Sequence, residues 1–275
     1  MENLFSYEGK RCLFTGCFSG MGEATARIIE SLGGTIVAAD IKQPTSFSYE
    51  RYLEVDLRDA GAIEQMVAEV SAAGTIDRLF YCAGLPGTFP TLDVMLVNFV
   101  GLKHTVETVA PHMPRDGAIA SISSSAGMGY PGQMEAVLPL VTASGHAEGR
   151  QWVEEHADEF DAYSFSKMCT IVYTLRRAAT LTAETGVRLN CTSPGPTDTP
   201  MMPAFEEQAG KKFMAAYPKP IGRNSTAEEQ GWPLAFLNSA AASYVSGENF
   251  FTDGGGAAGM MTGQLAMDFS LIGKN

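Results

Sequence analysis

Short apolar runs alternate with longer stretches of helical periodicity along most of the chain. The apolar runs predict buried parallel strands at residues 11–15, 35–39, 52–55, 78–82, 118–123 and 187–191, with a last strand within 244–251. The periodic stretches predict helices at 23–32, 60–73, 93–109 and 163–184. This alternation predicts an α/β fold, a doubly wound parallel sheet of about seven strands with helices on both faces.

Composition narrows the class of protein. The chain has 275 residues, of which 45% are hydrophobic and 18% charged, and we expect one globular domain over residues 1–275. A net charge of −12 without a basic cluster argues against a nucleic-acid partner, because phosphate backbones bind basic surfaces. No leader pattern or apolar stretch of ~20 residues is visible, so we expect no membrane association. Five cysteines without a CxxC pair predict reduced thiols and a cytoplasmic protein.

A glycine-rich turn, TGCFSGMG at residues 15–22, joins the first strand to the first helix. Glycine allows the backbone to approach a pyrophosphate closely, and a helix N-terminus supplies amides and partial positive charge. The turn therefore predicts a dinucleotide site, with a tight turn that only packs helix on strand as the alternative. The expected binding residues are Gly16, Ser19, Gly20, Met21 and Gly22.

Asp40 ends the second strand. A carboxylate here can accept hydrogen bonds from both hydroxyls of the adenosine ribose and would repel the 2′-phosphate of NADP. Lys42 lies close by and weakens that repulsion. Asp40 thus predicts NAD as the cofactor, while a helix N-cap or a turn acid is the alternative role.

Tyr163 and Lys167 are four residues apart and share one face of a predicted helix. An ammonium beside a phenol favours the phenolate, so we expect Lys167 to lower the tyrosine pKa from ~10 and make Tyr163 an acid/base group. An ordinary surface pair is the alternative.

Four serines, Ser121, Ser123, Ser124 and Ser125, stand at the end of the strand that begins near residue 118. One hydroxyl could stabilise charge on a substrate oxygen, while the others make local bonds to the backbone. The four histidines show no metal-ligand spacing, so no metal site is predicted.

Together these features resemble the short-chain dehydrogenase/reductase family, whose fold is Rossmann-type, over nearly the whole chain. The resemblance implies that Ser124 is the catalytic serine and that Asn98 holds a proton-relay water. The resemblance also implies three further groups of cofactor-binding residues. They are Asp56 and Leu57; Cys82, Ala83 and Gly84, where the family usually has Asn-Ala-Gly; and Pro194, Gly195, Thr197 and Thr199.

An insertion at residues 128–160 separates Ser124 from Tyr163. It resembles the bacterial 3α-hydroxysteroid dehydrogenase/carbonyl reductase branch and coniferyl-alcohol dehydrogenases. This implies NAD(H), a hydrophobic secondary alcohol or its ketone, and a homodimer or homotetramer in which the insertion alters the usual helix-to-helix contact. The alternative is that the insertion roofs the substrate cleft.

The expected substrate pocket draws on residues 128–133, the insertion, and an apolar lid or core segment. The residues of that segment are Met201, Met202, Phe205, Phe213 and Tyr217. The tail, residues 256–275, is expected to pack on a neighbouring subunit or over the cleft. An aryl-alcohol dehydrogenase is the nearest alternative enzyme, and an NAD-binding scaffold without turnover is the alternative from another class.

Overall fold

The computed structural model describes residues 3–274. Its strands are β1 (Arg11–Thr15), β2 (Thr35–Asp40), β3 (Arg51–Glu54), β4 (Arg78–Tyr81), β5 (Ala118–Ile122), β6 (Arg188–Pro194), β7 (Thr197–Asp198), β8 (Ser225–Thr226) and β9 (Asn249–Thr252). Its α-helices are α1 (Gly20–Ser31), α2 (Ala60–Ala73), α3 (Thr91–Met95), α4 (Gly101–Val109), α5 (Met134–Thr142), α6 (His146–His156), α7 (Ala162–Thr185), α8 (Met202–Ala209), α9 (Lys211–Ala216), α10 (Ala227–Asn238) and α11 (Gly256–Met261).

Seven strands form one parallel sheet in the order β3-β2-β1-β4-β5-β6-β9. The chain proceeds outward from β1 to β3, then crosses back to β4 on the other side of β1. A crevice opens at such a reversal of strand order, outside the carboxyl ends of the strands. The predicted fold class, a doubly wound α/β sheet of seven strands, is confirmed.

Helices cover both faces of the sheet. Under α1 and α10, Phe14 and Phe80 stack with ring centroids 4.4 Å apart. The opposite core lies under α2, α4 and α7 and contains Leu13, Leu79 and Leu189. Because the central strands are buried on both faces, their sequences are continuously apolar rather than alternating.

The predicted helix at 93–109 is interrupted by a π-helical turn, Leu96–Val100. The Val97 carbonyl accepts a hydrogen bond from the hydroxyl of Tyr81, 2.7 Å away on β4. A side chain that takes a helix carbonyl opens the ladder locally. The turn contains Asn98, so the irregularity lies at a predicted site residue.

Helix α10 is the main element that the sequence patterns do not predict. It contains Gly231 and Pro233, both of which disfavour a helix interior. A capping box between Thr226 and Glu229 starts the helix. A Cβ at Gly231 would lie 2.7 Å from Cδ1 of Ile28 on α1, so glycine permits the close packing of these two helices.

Strand β6 also differs from its predicted bounds of 187–191. It continues to Pro194, which is in register with Thr252 of β9. Proline has no backbone donor, but the pairing of β6 with β9 continues past it, because the Gly195 amide donates to the Thr252 carbonyl at 3.3 Å.

The inserted segment contains α5 and α6, which pack against α7 and α4. The Trp152 ring stacks on Phe165 of α7, with centroids 5.8 Å apart, and on His156 at 4.4 Å. Lys103 of α4 donates a hydrogen bond to the Val141 carbonyl at 2.8 Å. The insertion therefore covers the outer faces of α4 and α7.

We expect the Trp152→Ala variant to lower the free energy of unfolding by about 3 kcal/mol, since it removes the ring that joins α6 to α7. Tyr244→Ala is the matched control, because the Tyr244 ring is fully exposed. Urea unfolding followed by far-ultraviolet circular dichroism measures both. Equal unfolding midpoints for the two variants would contradict this role of Trp152.

Candidate active site

A cavity of about 780 Å³ opens at the carboxyl ends of the central strands. Every residue predicted to contact the cofactor lines it, as do Ser124, Tyr163 and Lys167. Asn98 does not line it. None of residues 128–160 lines it either, so the expectation that they shape or roof the pocket is wrong, because α5 and α6 pack on α4 and α7 instead.

The glycine-rich turn needs glycine for steric reasons. Gly16 has a φ of +75°, and a Cβ there would lie 2.3 Å from the Ala83 backbone. A Cβ on Gly22 would lie 2.0 Å from the carbonyl oxygen of Gly16. Helix α1 begins at Gly20, three residues before the predicted start, and the side chain of its N-cap, Ser19, makes no capping bond. The first amides of α1 are therefore left without a capping side chain at the cavity wall, which suits an anionic ligand.

Asp40 holds the turn while it lines the cavity. Its carboxylate accepts hydrogen bonds from the amides of Phe18 at 2.9 Å and Lys42 at 3.1 Å. Asp40 therefore does bind the amides of the turn, which is the alternative role given for it above. A carboxylate has about four acceptor positions, so two remain for a ribose diol.

Arg58 is a cavity residue that the sequence patterns do not single out. Its guanidinium binds both carboxylate oxygens of Asp56, the closest contact being 2.7 Å, and it also reaches Asp93 at 3.0 Å. Hydrogen bonding to Arg58 lowers the pKa of Asp56. Asp56 therefore stays charged, with part of its accepting capacity already used.

Lys167 is 4% exposed, and its ammonium donates to the Ile122 carbonyl at the end of β5, 2.9 Å away. The ammonium lies 5.5 Å from the centroid of the Tyr163 ring. Burial lowers the pKa of Lys167 to about 8. Two N–H donors remain free for a ligand, because an ammonium has three and only one has an acceptor among residues 3–274.

Burial of the hydroxyl raises the pKa of Tyr163 to about 12, and a hydrogen bond with Ser124 opposes the rise. The expectation that Lys167 makes this phenol acidic is therefore reversed in the protein alone. Desolvation is the largest cause of the rise, and Lys167 is not among the groups that lower this pKa.

The serine hydroxyls at the end of β5 make different contacts. Ser123 donates to the Lys167 carbonyl at 2.9 Å, which ties β5 to α7. The hydroxyl of Ser124 accepts from the Ala126 amide at 3.1 Å and is the serine hydroxyl that meets the Tyr163 phenol. Ser125 is bound elsewhere, 2.7 Å from the hydroxyl of Tyr217.

Asn98 is 1% exposed, and its side chain is fully engaged. Its amide nitrogen donates to the Leu85 carbonyl at 3.0 Å and the Ser166 hydroxyl at 3.2 Å. Its oxygen accepts from the Leu85 amide at 2.7 Å. Asn98 thus joins the loop after β4 to α7, and both its side-chain donors are used.

Thr197 shows the same kind of engagement in the loop after β6. Its hydroxyl donates to the Gly195 carbonyl at 2.9 Å and lies 2.8 Å from the Ser225 hydroxyl on β8. The side chain therefore shapes the loop, and its neighbours Pro194 and Thr199 complete that wall of the cavity.

The segment predicted as a lid or as core forms α8 and α9, and α8 packs over Tyr163. The ring of Phe205 meets the Tyr163 ring edge to face, with centroids 4.9 Å apart. Gln208 of α8, which the sequence does not reveal, donates to Asp161 at 3.0 Å. Because Asp161 is the N-cap of α7, this bond attaches α8 to the start of α7.

The tail packs on the lid. The Gly273 amide donates to the Ala209 carbonyl at 2.8 Å, and the Lys212 amide donates to the Lys274 carbonyl at 3.1 Å. Gly210, with a φ of +90°, separates α8 from α9 at this contact. The tail up to residue 274 therefore supports the junction of the two lid helices.

The donor set fits a nicotinamide dinucleotide. The uncapped amides of α1, spare acceptor positions on Asp40 and two free N–H donors on Lys167 all belong to residues that line the cavity. No group of three or more His, Cys, Asp or Glu side chains that could hold a metal occurs within residues 3–274. No helix over the same residues is long and apolar enough to cross a membrane.

Comparison with known proteins gives two matching family models. One, described as short chain dehydrogenase, matches residues 10–136, and another, described as enoyl-(acyl carrier protein) reductase, matches residues 153–257. A 3-alpha-hydroxysteroid dehydrogenase/carbonyl reductase of Comamonas testosteroni is 33% identical over 88% of this chain and 95% of its own. This chain belongs to the short-chain dehydrogenase/reductase family. It is accordingly an NAD(P)-dependent oxidoreductase of alcohols, and the resemblance seen in the sequence is confirmed.

Two further relatives agree with this assignment. A coniferyl-alcohol dehydrogenase of a Pseudomonas species is 31% identical over 90% of this chain and 96% of its own. The crystal structure of a 3-alpha-hydroxysteroid dehydrogenase from another Pseudomonas species, complexed with NADH, aligns with a TM-score of 0.77. Its sequence is 28% identical, and the alignment covers 94% of this chain and all of the other.

We expect one lysine of the protein alone to titrate near pH 8, because burial disfavours the ammonium of Lys167. Between that value and the ~10.4 of an unfolded lysine, the unfolded state binds more protons, so this group makes stability rise with pH. Nuclear magnetic resonance of ¹³C-labelled lysine measures the titration, and loss of the signal in Lys167→Met assigns it. A Lys167 signal that titrates at the ordinary lysine pKa would contradict the burial argument.

Proposed function

We propose that this short-chain dehydrogenase/reductase interconverts a hydrophobic secondary alcohol and its ketone with NAD(H). The observation that carries the proposal is the convergence of Ser124, Tyr163 and Lys167 in one cavity, with an apolar lid over the phenol. The catalytic set we propose is Tyr163, Lys167 and Ser124, with Asn98 as a positioning residue. A non-catalytic scaffold would need none of this arrangement.

In the oxidation, Tyr163 accepts the carbinol proton, and Ser124 hydrogen-bonds the same substrate oxygen. A bound nicotinamide would supply the acceptor for the hydride of the carbinol carbon. Lys167 holds the phenolate by charge and has donors left for a ribose hydroxyl. Asn98 fixes Leu85 against α7, and through Ser166 it keeps the helix that bears the catalytic pair in place.

Asp40 supports NAD rather than NADP. Its carboxylate stands at the end of β2 with two backbone donors already bound, so it cannot turn away from the ribose without loss of those bonds. A phosphate beside it would place like charges together. The nearest cation, Lys42, lies over the Phe18 ring at 5.4 Å from its centroid.

An apolar substrate is supported by the lid and the loop after β4. Their side chains line the cavity beside the catalytic hydroxyls, and they are Leu85, Phe89, Met201, Met202, Phe205, Phe213 and Met214. Methionine adapts to varied shapes, which suits a bulky ring. A hydroxysteroid or similar alicyclic alcohol is our first candidate, and an aryl alcohol is the second, since the names of the relatives describe one substrate of each kind.

We also propose a homo-oligomer in the cytoplasm. Two aromatic side chains support an interface on the edge of the sheet, since Phe250 of β9 and Trp232 of α10 are 39% and 45% exposed. All five cysteines are free thiols, which agrees with a reducing compartment.

We expect Tyr163→Phe to lower kcat/KM by at least about 10², because it removes the proton acceptor and leaves the ring. NADH affinity, measured by fluorescence, should stay close to that of the unaltered enzyme. Absorbance of NADH against a panel of secondary alcohols and ketones follows turnover, with Tyr244→Phe on the exposed surface as the control. Undiminished turnover in Tyr163→Phe would refute the mechanism.

We expect Asp40→Ser and Asp40→Asn to raise the ratio of kcat/KM with NADP to that with NAD at least about tenfold, equivalent to about 1.4 kcal/mol. Asparagine keeps an acceptor for the Phe18 amide, so it separates charge from loop geometry. Asp158→Ser, on the exposed end of the insertion, is the matched control. A ratio that stays the same in both Asp40 variants would show that another residue selects the cofactor.

A further inference from the structure

We propose that Ser125 and Tyr217 form a second oxygen subsite next to the catalytic hydroxyls. The subsite recognises a substrate that carries a second hydrogen-bond-accepting oxygen, such as an ether, carbonyl or hydroxyl, close to its carbinol. The inference rests on the proposed function and narrows its substrate class.

The two hydroxyls come from different parts of the fold. Ser125 follows Ser124 directly at the end of β5 and is 3% exposed. Tyr217 follows α9, so it belongs to the lid. Their oxygens lie 2.7 Å apart, and both residues line the cavity with Tyr163. The pair therefore assembles only where the lid meets the catalytic strand end.

A count of hydrogens shows what the pair can offer. Each hydroxyl carries one donor hydrogen, and their mutual bond uses one of the two. Within residues 3–274, neither oxygen has a further hydrogen-bonding partner. One donor of the pair is thus left over in a mostly enclosed place, where an unmet donor costs free energy. An acceptor that enters the cavity would remove that cost.

The neighbouring polar groups cannot supply this acceptor, because their bonding is already directed elsewhere. Asp253 acts on Tyr217 only through its charge, and its carboxylate accepts from the amides of Gly255 and Ala257. Gln208 and Asp161 bind each other across the lid. The remaining wall beside the pair is apolar, including Phe213 and Met214. In a site of this kind a few placed polar groups fix the ligand's orientation, so the unmet donor points to an oxygen of the ligand.

The competing role for the bond between Ser125 and Tyr217 is that of a latch, which holds the lid helices against the end of β5. A latch would change the closure of the lid for every substrate alike. A subsite would instead discriminate between two substrates that differ by one oxygen. The two roles therefore separate in a ratio of kcat/KM values rather than in either value alone.

The test compares two pairs of secondary alcohols that differ by one ether oxygen. In the first pair, cyclohexanol is compared with cyclohexanol that carries a methoxy group on the ring carbon next to the carbinol. In the second pair, the secondary alcohol 1-phenylethanol is compared with its derivative that carries a methoxy group on the methyl carbon. The double variant Ser125→Ala/Tyr217→Phe removes both hydroxyls and keeps the phenyl ring. We expect the ratio of kcat/KM for the methoxy alcohol to that for the plain alcohol to fall about tenfold, as loss of one hydrogen bond to the ligand requires. Dissociation constants of the matching ketones in the NADH complex, read by cofactor fluorescence, should show the same change in ratio.

Tyr244→Phe, far from the cavity on the exposed surface, should keep the original ratio. A ratio that the double variant leaves unchanged, with both kcat/KM values lowered together, would overturn the subsite and assign the bond to lid closure, while the proposed function stands. An enzyme that oxidises none of the four alcohols and binds none of their ketones contradicts the proposed function itself, and the subsite is then rejected with it.

Discussion

The buried ammonium of Lys167 is the constraint on which the active site depends. A buried charge is costly unless it is bound, and within the described chain its one acceptor is the Ile122 carbonyl. That carbonyl is available because β5 ends there, so the sheet and α7 must meet at this point. The Ser123 hydroxyl, which donates to the Lys167 carbonyl, fixes the same junction from the other side. Both bonds set the position of Tyr163 one helical turn away.

The same junction explains how the cavity is divided. On the side of β1 and β2, backbone amides and a charged carboxylate face the cavity, and these groups suit phosphate and ribose. On the side of α8 and α9, the Phe205 ring packs against the Tyr163 ring. Desolvation raises the pKa of Tyr163 to about 12 in the protein alone. In the mechanism we propose, a positive charge in the cofactor cleft would favour the ionised form of the phenol.

Sequence patterns predict those site residues whose roles depend on backbone conformation and on residues nearby in the chain. Gly16 is predictable because its positive φ and its clearance from Ala83 admit glycine alone, and the strand-to-helix context places it. Asp40 and the pair of Tyr163 and Lys167 follow in the same way from strand ends and helix periodicity. The family resemblance adds Asn98, although its side chain turns out to hold the Leu85 backbone.

Other features depend on tertiary contacts that no local pattern encodes. Gln208 and Arg58 contact Asp161 and Asp93, which are distant in sequence and which folding brings to them. Helix α10 is hidden by Gly231 and Pro233, and the first of these is there to let α1 approach. The direction of the Tyr163 pKa shift also escapes the sequence, because desolvation depends on how α8 packs over the ring.

Ultraviolet difference titration of tyrosinate, with Tyr163→Phe subtracted, tests the central claim most directly. In the protein alone, Tyr163 should ionise well above the ordinary tyrosine pKa of ~10. With saturating oxidised cofactor, whose nicotinamide is positively charged, its pKa should fall below that value, and with the uncharged reduced form it should not fall. A Tyr163 pKa that is the same in all three states would show that the cofactor charge does not control the phenol.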